Sequence, residues 1–179
     1  MRRGIRLLAV MAVASLTAGC FEPLYGTRSS VGGEGVGPKL AGVQVAPINT
    51  PNGTRLARVG VDVRNDLIFG LTGGSGGGAP THRLDIRLAA TQLQVIVDIN
   101  TARPEVQNYG IDASYTLTDL ATGKKVIQGK TFSRVSYDIP GQQQRFAGAR
   151  GLRDAEDRAA QVIADNIRSR LASYFVAGT

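Results

Sequence analysis

The chain is 179 residues long, with 21 basic and 14 acidic side chains, a formal net charge of +7, one histidine, one cysteine and no tryptophan. A single cysteine excludes an intramolecular disulfide framework, and a single histidine removes most metal-centre and nucleophile–base arrangements. Arg2, Arg3 and Arg6 belong to the leader described next. Without them 18 basic groups face 14 acidic ones, and no Lys/Arg block interleaved with aromatics points to nucleic acid.

The first stretch decides where the chain goes. Arg2, Arg3 and Arg6 form a positive n-region, Leu7 to Leu16 an uncharged h-region, and Thr17-Ala18-Gly19 a small-residue cleavage site, the layout of a secretory signal. The apolar run is far short of the ~20 residues a permanent membrane helix needs. Small residues before Cys20 suit a peptidase that must admit the backbone closely, leaving the thiol to carry a diacylglyceryl thioether. Leu16-Thr17-Ala18-Gly19-Cys20 resembles the lipobox of bacterial lipoproteins, departing from it at Thr17, where an aliphatic residue is usual. The other reading is an ordinary signal peptide followed by an unpaired thiol, a liability in an oxidising compartment. Phe21, rather than Asp, after the cysteine resembles lipoproteins passed on to the outer membrane. The expected division is a signal peptide over 1–19, a lipid anchor and flexible tether over 20–39, and one folded domain over 40–179.

Thr27 to Lys39 is rich in Gly and Ser and should behave as coil. Leu40 to Ile48 reads as a short strand with Val43 and Val45 on one face, ended by Pro47 and so suited to a sheet edge. Asn49 to Gly53 is a turn cluster, and Thr54 can cap the helix that follows. In that helix Leu56, Val59, Gly60, Val63, Leu67 and Leu71 recur at three- and four-residue steps. Gly73 terminates it. The Gly73 to Pro80 loop lacks a Gly-Lys-Ser/Thr ending and follows a helix rather than a strand, so it does not read as a phosphate cradle.

Three strands come next. Leu84, Ile86 and Leu88 alternate on even numbers, but Leu93, Val95, Val97 and Ile99 alternate on odd ones, so a bulge is expected between Ala89 and Gln92. After a loop containing Arg103, Tyr109, Ile111, Ala113, Tyr115 and Leu117 form the apolar face of the second strand. Asp119 to Lys124 is a hairpin loop. The third strand, Val126 to Tyr137, has Ile127, Thr131, Val135 and Tyr137 on one side and Lys130, Phe132 and Arg134 on the other. Tyr137 to Gly148 reads as a loop holding Arg145. Leu152, Ala155, Ala159, Ile163, Ile167, Leu171 and Tyr174 or Phe175 then make one stripe of a long helix, with Asp154–Arg158 as a surface pair.

Two amphipathic helices need a surface to bury against, and a sheet with one apolar face supplies it. The expected fold is α+β, a two-layer sandwich in which a four-stranded, mostly antiparallel sheet is covered on one face by two helices. This order, the lipobox with Phe21-Glu22-Pro23-Leu24-Tyr25-Gly26 after it, Asn52-Gly53 leading into Arg64-Asn65-Asp66-Leu67, Tyr109 to Leu117 before a Gly-containing hairpin, and Asp157-Arg158-Ala159-Ala160 together resemble the LptE family. The resemblance implies a non-enzymatic lipoprotein at the periplasmic face of the outer membrane, without a cofactor. Its implied partners are an LptD-type outer-membrane β-barrel, which it would plug and help assemble, and lipopolysaccharide in transit to the outer leaflet. It implies cationic contacts to the glycolipid at Arg103 and Arg145, where arginine can meet phosphate bidentately. The alternatives are a periplasmic auxiliary or lipid-shuttle lipoprotein of another envelope transport complex and, less supported, a small cell-wall-active enzyme using His82. His82 otherwise reads as a polar residue at a strand start.

Overall fold

Both amphipathic stripes face one sheet. The computed structural model describes residues 28–29, 33–74, 76–97, 104–139 and 145–177. Strands β1 (Arg28–Ser29) and β2 (Gly33–Glu34) pair antiparallel, and helix α1 (Val36–Ala41) precedes β3 (Val43–Val45). Helix α2 (Arg55–Thr72) is followed by β4 (His82–Val97), β5 (Pro104–Asp119), β6 (Lys125–Asp138) and helix α3 (Arg145–Ala177). The main sheet has the order β3-β4-β5-β6. β3 runs parallel to β4, and the other pairs are antiparallel. The α+β sandwich expected from the sequence is the architecture observed.

Period-two alternation places Leu84 and Ile86 of β4, Tyr109 to Leu117 of β5, and Ile127, Val135 and Tyr137 of β6 under the helices. Val59, Val63, Leu67 and Leu71 of α2 and Ala155, Ala159, Ile163, Ile167 and Leu171 of α3 meet them in one core. Asn166 of α3 donates to Thr131 of β6 at 3.0 Å, tying helix to sheet beside that core. Side chains occupy the space between the layers.

The start of α2 follows its sequence. Thr54 is extended, and its hydroxyl accepts the Ala57 N–H at 3.2 Å, satisfying one of the donors a helix leaves unpaired at its first turn. Thr54→Ala is expected to cost about 1 kcal/mol, read as a lower urea midpoint with an unchanged m-value. Gly73, in the left-handed region, closes the other end by donating to the Phe69 carbonyl at 2.8 Å.

Three local expectations need correction. The register of β4 against β5 stays regular from His82 to Gln94 and shifts only between Gln94 and Val97, so no bulge lies at 89–92. Leu93 therefore falls on the face without helices, where it is 62% exposed. Ala90 and Gln92, on the helix side, are exposed too; among the described residues nothing covers β4 past Leu88, and nothing demands that apolar residues turn inward. The strand expected over Leu40 to Ile48 is only Val43–Val45, and Leu40 is instead the buried residue of α1. Finally, α3 begins at Arg145 rather than near Leu152. A Cβ at Gly151 would stand 3.4 Å from the Asp138 carbonyl oxygen and 3.6 Å from the Tyr137 ring. Those are ordinary contact distances, so the first turns of α3 pack against the end of β6 with or without a side chain at Gly151, and that packing overrides the low helix propensity of glycine.

Candidate functional site on the open sheet face

The sheet face turned away from the helices is left uncovered among the described residues, and it is where cations collect. Alternation puts Arg83, Arg87 and Leu93 of β4, and Lys130, Phe132 and Arg134 of β6, on this side, with Asp112, Ser114 and Thr116 of β5 between them. Phe132 is 65% exposed.

The cations fall into two kinds. Arg83 donates from Nε to both carboxylate oxygens of Asp85, at 3.1 and 3.2 Å. Arg134 lies flat across β5. Its Nη2 donates to both oxygens of Asp112 at 2.8 and 2.9 Å, and its Nη1 to the Ile111 and Ser133 carbonyls at 3.1 and 2.9 Å. Its guanidinium carbon stands 5.4 Å from the Phe132 ring centre. Gly110 makes this possible, because a Cβ there would fall 2.8 Å from Arg134 Cδ and 2.7 Å from Thr91 Oγ1. Arg87, Lys125 and Lys130 have no ion pair or side-chain hydrogen bond among the described residues. All three line one depression of about 580 Å³, with Asp85, Ser114, Thr116 and Gln128.

A second depression, of about 510 Å³, lies at the rim between α1, β4 and the end of α3. His82 lines it, with Thr81 Oγ1 2.9 Å from Nδ1 and the Phe175 ring edge-on at 5.1 Å. These contacts hold the imidazole at the start of β4 as a packing residue. Among the described residues no group of three or more His, Cys, Asp or Glu side chains could hold a metal ion.

Between the helices, Arg58 of α2 pairs with Glu156 of α3. Glu156 is 1% exposed and the Arg58 side chain 37%. Glu156 Oε1, Arg58 Nε and the Tyr109 hydroxyl are buried without a hydrogen-bond partner among the described residues, and burial raises the Tyr109 phenol above its ordinary value. Periodicity passed over this pair, since Glu156 lies just beside the Ala155–Ala159 stripe. The available signal was an acidic residue at helical spacing from Ala159 and Ala160, on the same side of the helix as the core.

Further along the same junction, Asp62 and Asp66 titrate above the ordinary carboxylate value. Partial burial is the main cause, reinforced by Asp157 for Asp62, and by Asp62, Asp165 and Asp157 for Asp66. A carboxyl raised on folding contributes stability that is complete below its unfolded value near pH 4 and is lost as pH rises through the folded value. Asp66→Asn is therefore expected to raise the thermal midpoint at pH 7 and to leave it unchanged at pH 3.

Of the residues singled out from the sequence, Cys20 and Arg103 lie outside the described residues. Arg145 is the first residue of α3 rather than part of a loop. Its position follows β6 at the sheet end where Pro104 opens β5, opposite the β5–β6 turn. The structure does not bring it near Arg87, Lys125 and Lys130.

No curated protein matches the chain by sequence. Among solved structures, a Caulobacter crescentus protein described as a lipoprotein superimposes with a TM-score of 0.62 at 21% identity, covering 80% of this chain and 97% of that one. The rare lipoprotein B of Shewanella oneidensis gives 0.53 at 14% identity, covering 75% and 96%. Lipoprotein B of Nitrosomonas europaea gives 0.54 at 12%, covering 77% and 90%. At these identities the likeness is one of fold. The family LptE, lipopolysaccharide-assembly, matches residues 40–171, which span α2, the whole main sheet and most of α3. The chain belongs to the LptE lipopolysaccharide-assembly family.

Proposed function

We propose that the chain is a non-enzymatic lipoprotein, held at the periplasmic face of the outer membrane through an acylated Cys20. There it plugs and helps assemble an LptD-type β-barrel and binds lipopolysaccharide on its way to the outer leaflet. Residues 1–19 are then a removable signal, 20–39 the anchor and tether, and 40–179 the working domain. The observation that carries this is the family match over 40–171. The relatives of the same fold are described as lipoproteins, in keeping with the Cys20 motif. No described helix is long and apolar enough to cross a membrane, so attachment rests on that motif.

Among the described residues the two helix stripes and the sheet face pack into one core, which favours a body that fills space over a shuttle that carries a lipid inside. Arg103 and Arg145 are proposed glycolipid contacts. The test is a pull-down of the tagged protein from detergent-solubilised outer membranes. A large β-barrel is expected to co-purify, and the barrel to lose its assembled form when the protein is depleted. Recovery of the protein alone from a soluble periplasmic fraction would overturn the reading.

A further inference from the structure

We propose that Arg87, Lys125 and Lys130 form an anion subsite on the open sheet face, taking the phosphate groups of a glycolipid headgroup. The inference rests on the glycolipid-binding role above and deepens it. It places a contact roughly 27 Å from the Arg145 end, the span of the eight steps from Val106 to Ser114 along β5 at about 3.4 Å each.

The register supplies the argument. Arg87 pairs with Ser114 and Ser114 with Lys130, so one row across three strands reads Arg, Ser, Lys. Two strand spacings separate the outer members by roughly 10 Å, and two long cationic side chains can converge over the serine from either side. The next row reads Asp85, Thr116, Gln128, and Lys125 stands beside the β5–β6 turn. The floor is thus hydroxyl and amide, and the walls are positive.

The contrast with the rest of the face decides the sign of the ligand. Arg83 and Arg134 each hold a carboxylate of this chain, and Asp85, the one acid lining the depression, is the carboxylate Arg83 holds. Three cations with no ion pair among the described residues in one 580 Å³ depression repel one another until an anion enters. Phosphate fits that requirement, with several acceptor oxygens for ammonium, guanidinium and hydroxyl donors at once. Phe132, next along β6 from the Lys130 row and exposed, offers an apolar surface to the lipid part of the same molecule.

The experiment uses the full acylated protein in detergent micelles, with phosphorylated lipopolysaccharide and the same material after chemical dephosphorylation as probes. Arg87→Gln/Lys130→Gln is expected to weaken binding of the phosphorylated probe by about ten-fold and to reduce its dependence on salt. The difference from wild type should vanish with the dephosphorylated probe. Arg153→Gln, which removes an exposed cation of α3 on the other side of the sheet, should change affinity less than two-fold. All proteins are compared at matched thermal midpoints. Unchanged affinity in the double variant, with wild type still binding, would overturn the subsite alone. A wild type that binds neither probe would overturn the glycolipid role and the subsite together. Pyrophosphate binding to the wild type as tightly as the phosphorylated lipopolysaccharide would assign the depression to free phosphate and overturn the headgroup assignment.

Discussion

Arg58→Met is expected to lower the unfolding free energy by about 3 kcal/mol, at the low end of the range for breaking a buried ion pair. The cost comes from the partner left behind. Glu156 is enclosed between the helices and the sheet, and one of its oxygens already lacks a hydrogen bond among the described residues. Losing the guanidinium strands a carboxylate that water cannot reach. Glu156→Leu should cost much less, because Arg58 is over a third exposed and can turn its charge to solvent. Arg58→Met/Glu156→Leu together should recover most of the loss, since a well-packed apolar pair often replaces a buried ion pair at no net cost. Urea unfolding of the two single variants and the double one measures this coupling. Equal, small effects in all three would show that the pair is solvated.

Ile163→Ala carries an expected loss of about 3 kcal/mol, by removing methyl and methylene groups from the centre of the stripe and leaving a cavity. Ile163 is fully buried among residues of α2 and the sheet. Its neighbour Val162 is 43% exposed, and Val162→Ala should stay within about 0.5 kcal/mol. The pair of measurements tests whether α3 presents one face to the sheet: adjacent positions of similar chemistry should differ several-fold in cost. Comparable losses at both would mean that α3 is packed on more than one side.

What could be read in advance had a period and a local cause. The α2 stripe needed only spacing from Leu56 to Leu71, and its ends were signalled by Thr54 and Gly73. The β5–β6 turn was marked by Asp119 and Gly123; the Asp119 carboxylate accepts the N–H groups of Ala121 and Thr122, which also holds its titration below the ordinary value. The missed details depended on non-local geometry. Whether β4 needs a bulge depends on where the helices stop covering it. The extra turns of α3 depend on their packing against Tyr137 and Asp138 at the end of β6. Lys130 and Arg134 were both read on the polar side of β6, yet only cross-strand register shows that Arg134 is held by Asp112 while Lys130 has no ion pair among the described residues. The acylation site and Arg103 lie outside the described residues, so the sequence remains the source for both.

The parallel pairing of β3 has a kinetic consequence. β4, β5 and β6 form a meander whose partners follow one another in the chain, and such pairings close early. β3 is made before any of them, yet its partner begins at His82, beyond the whole of α2. Its three residues cannot find their ladder until that helix has been laid down and β4 has emerged, so the first-made strand of the main sheet must wait for a partner far along the chain. Until then the free margin of β4 is a template that another extended chain could join. Hydrogen exchange should show the amides of Val43 to Val45 opening well before those of β5, which marks this margin as the place where an unfinished molecule is open to chaperones or to self-association.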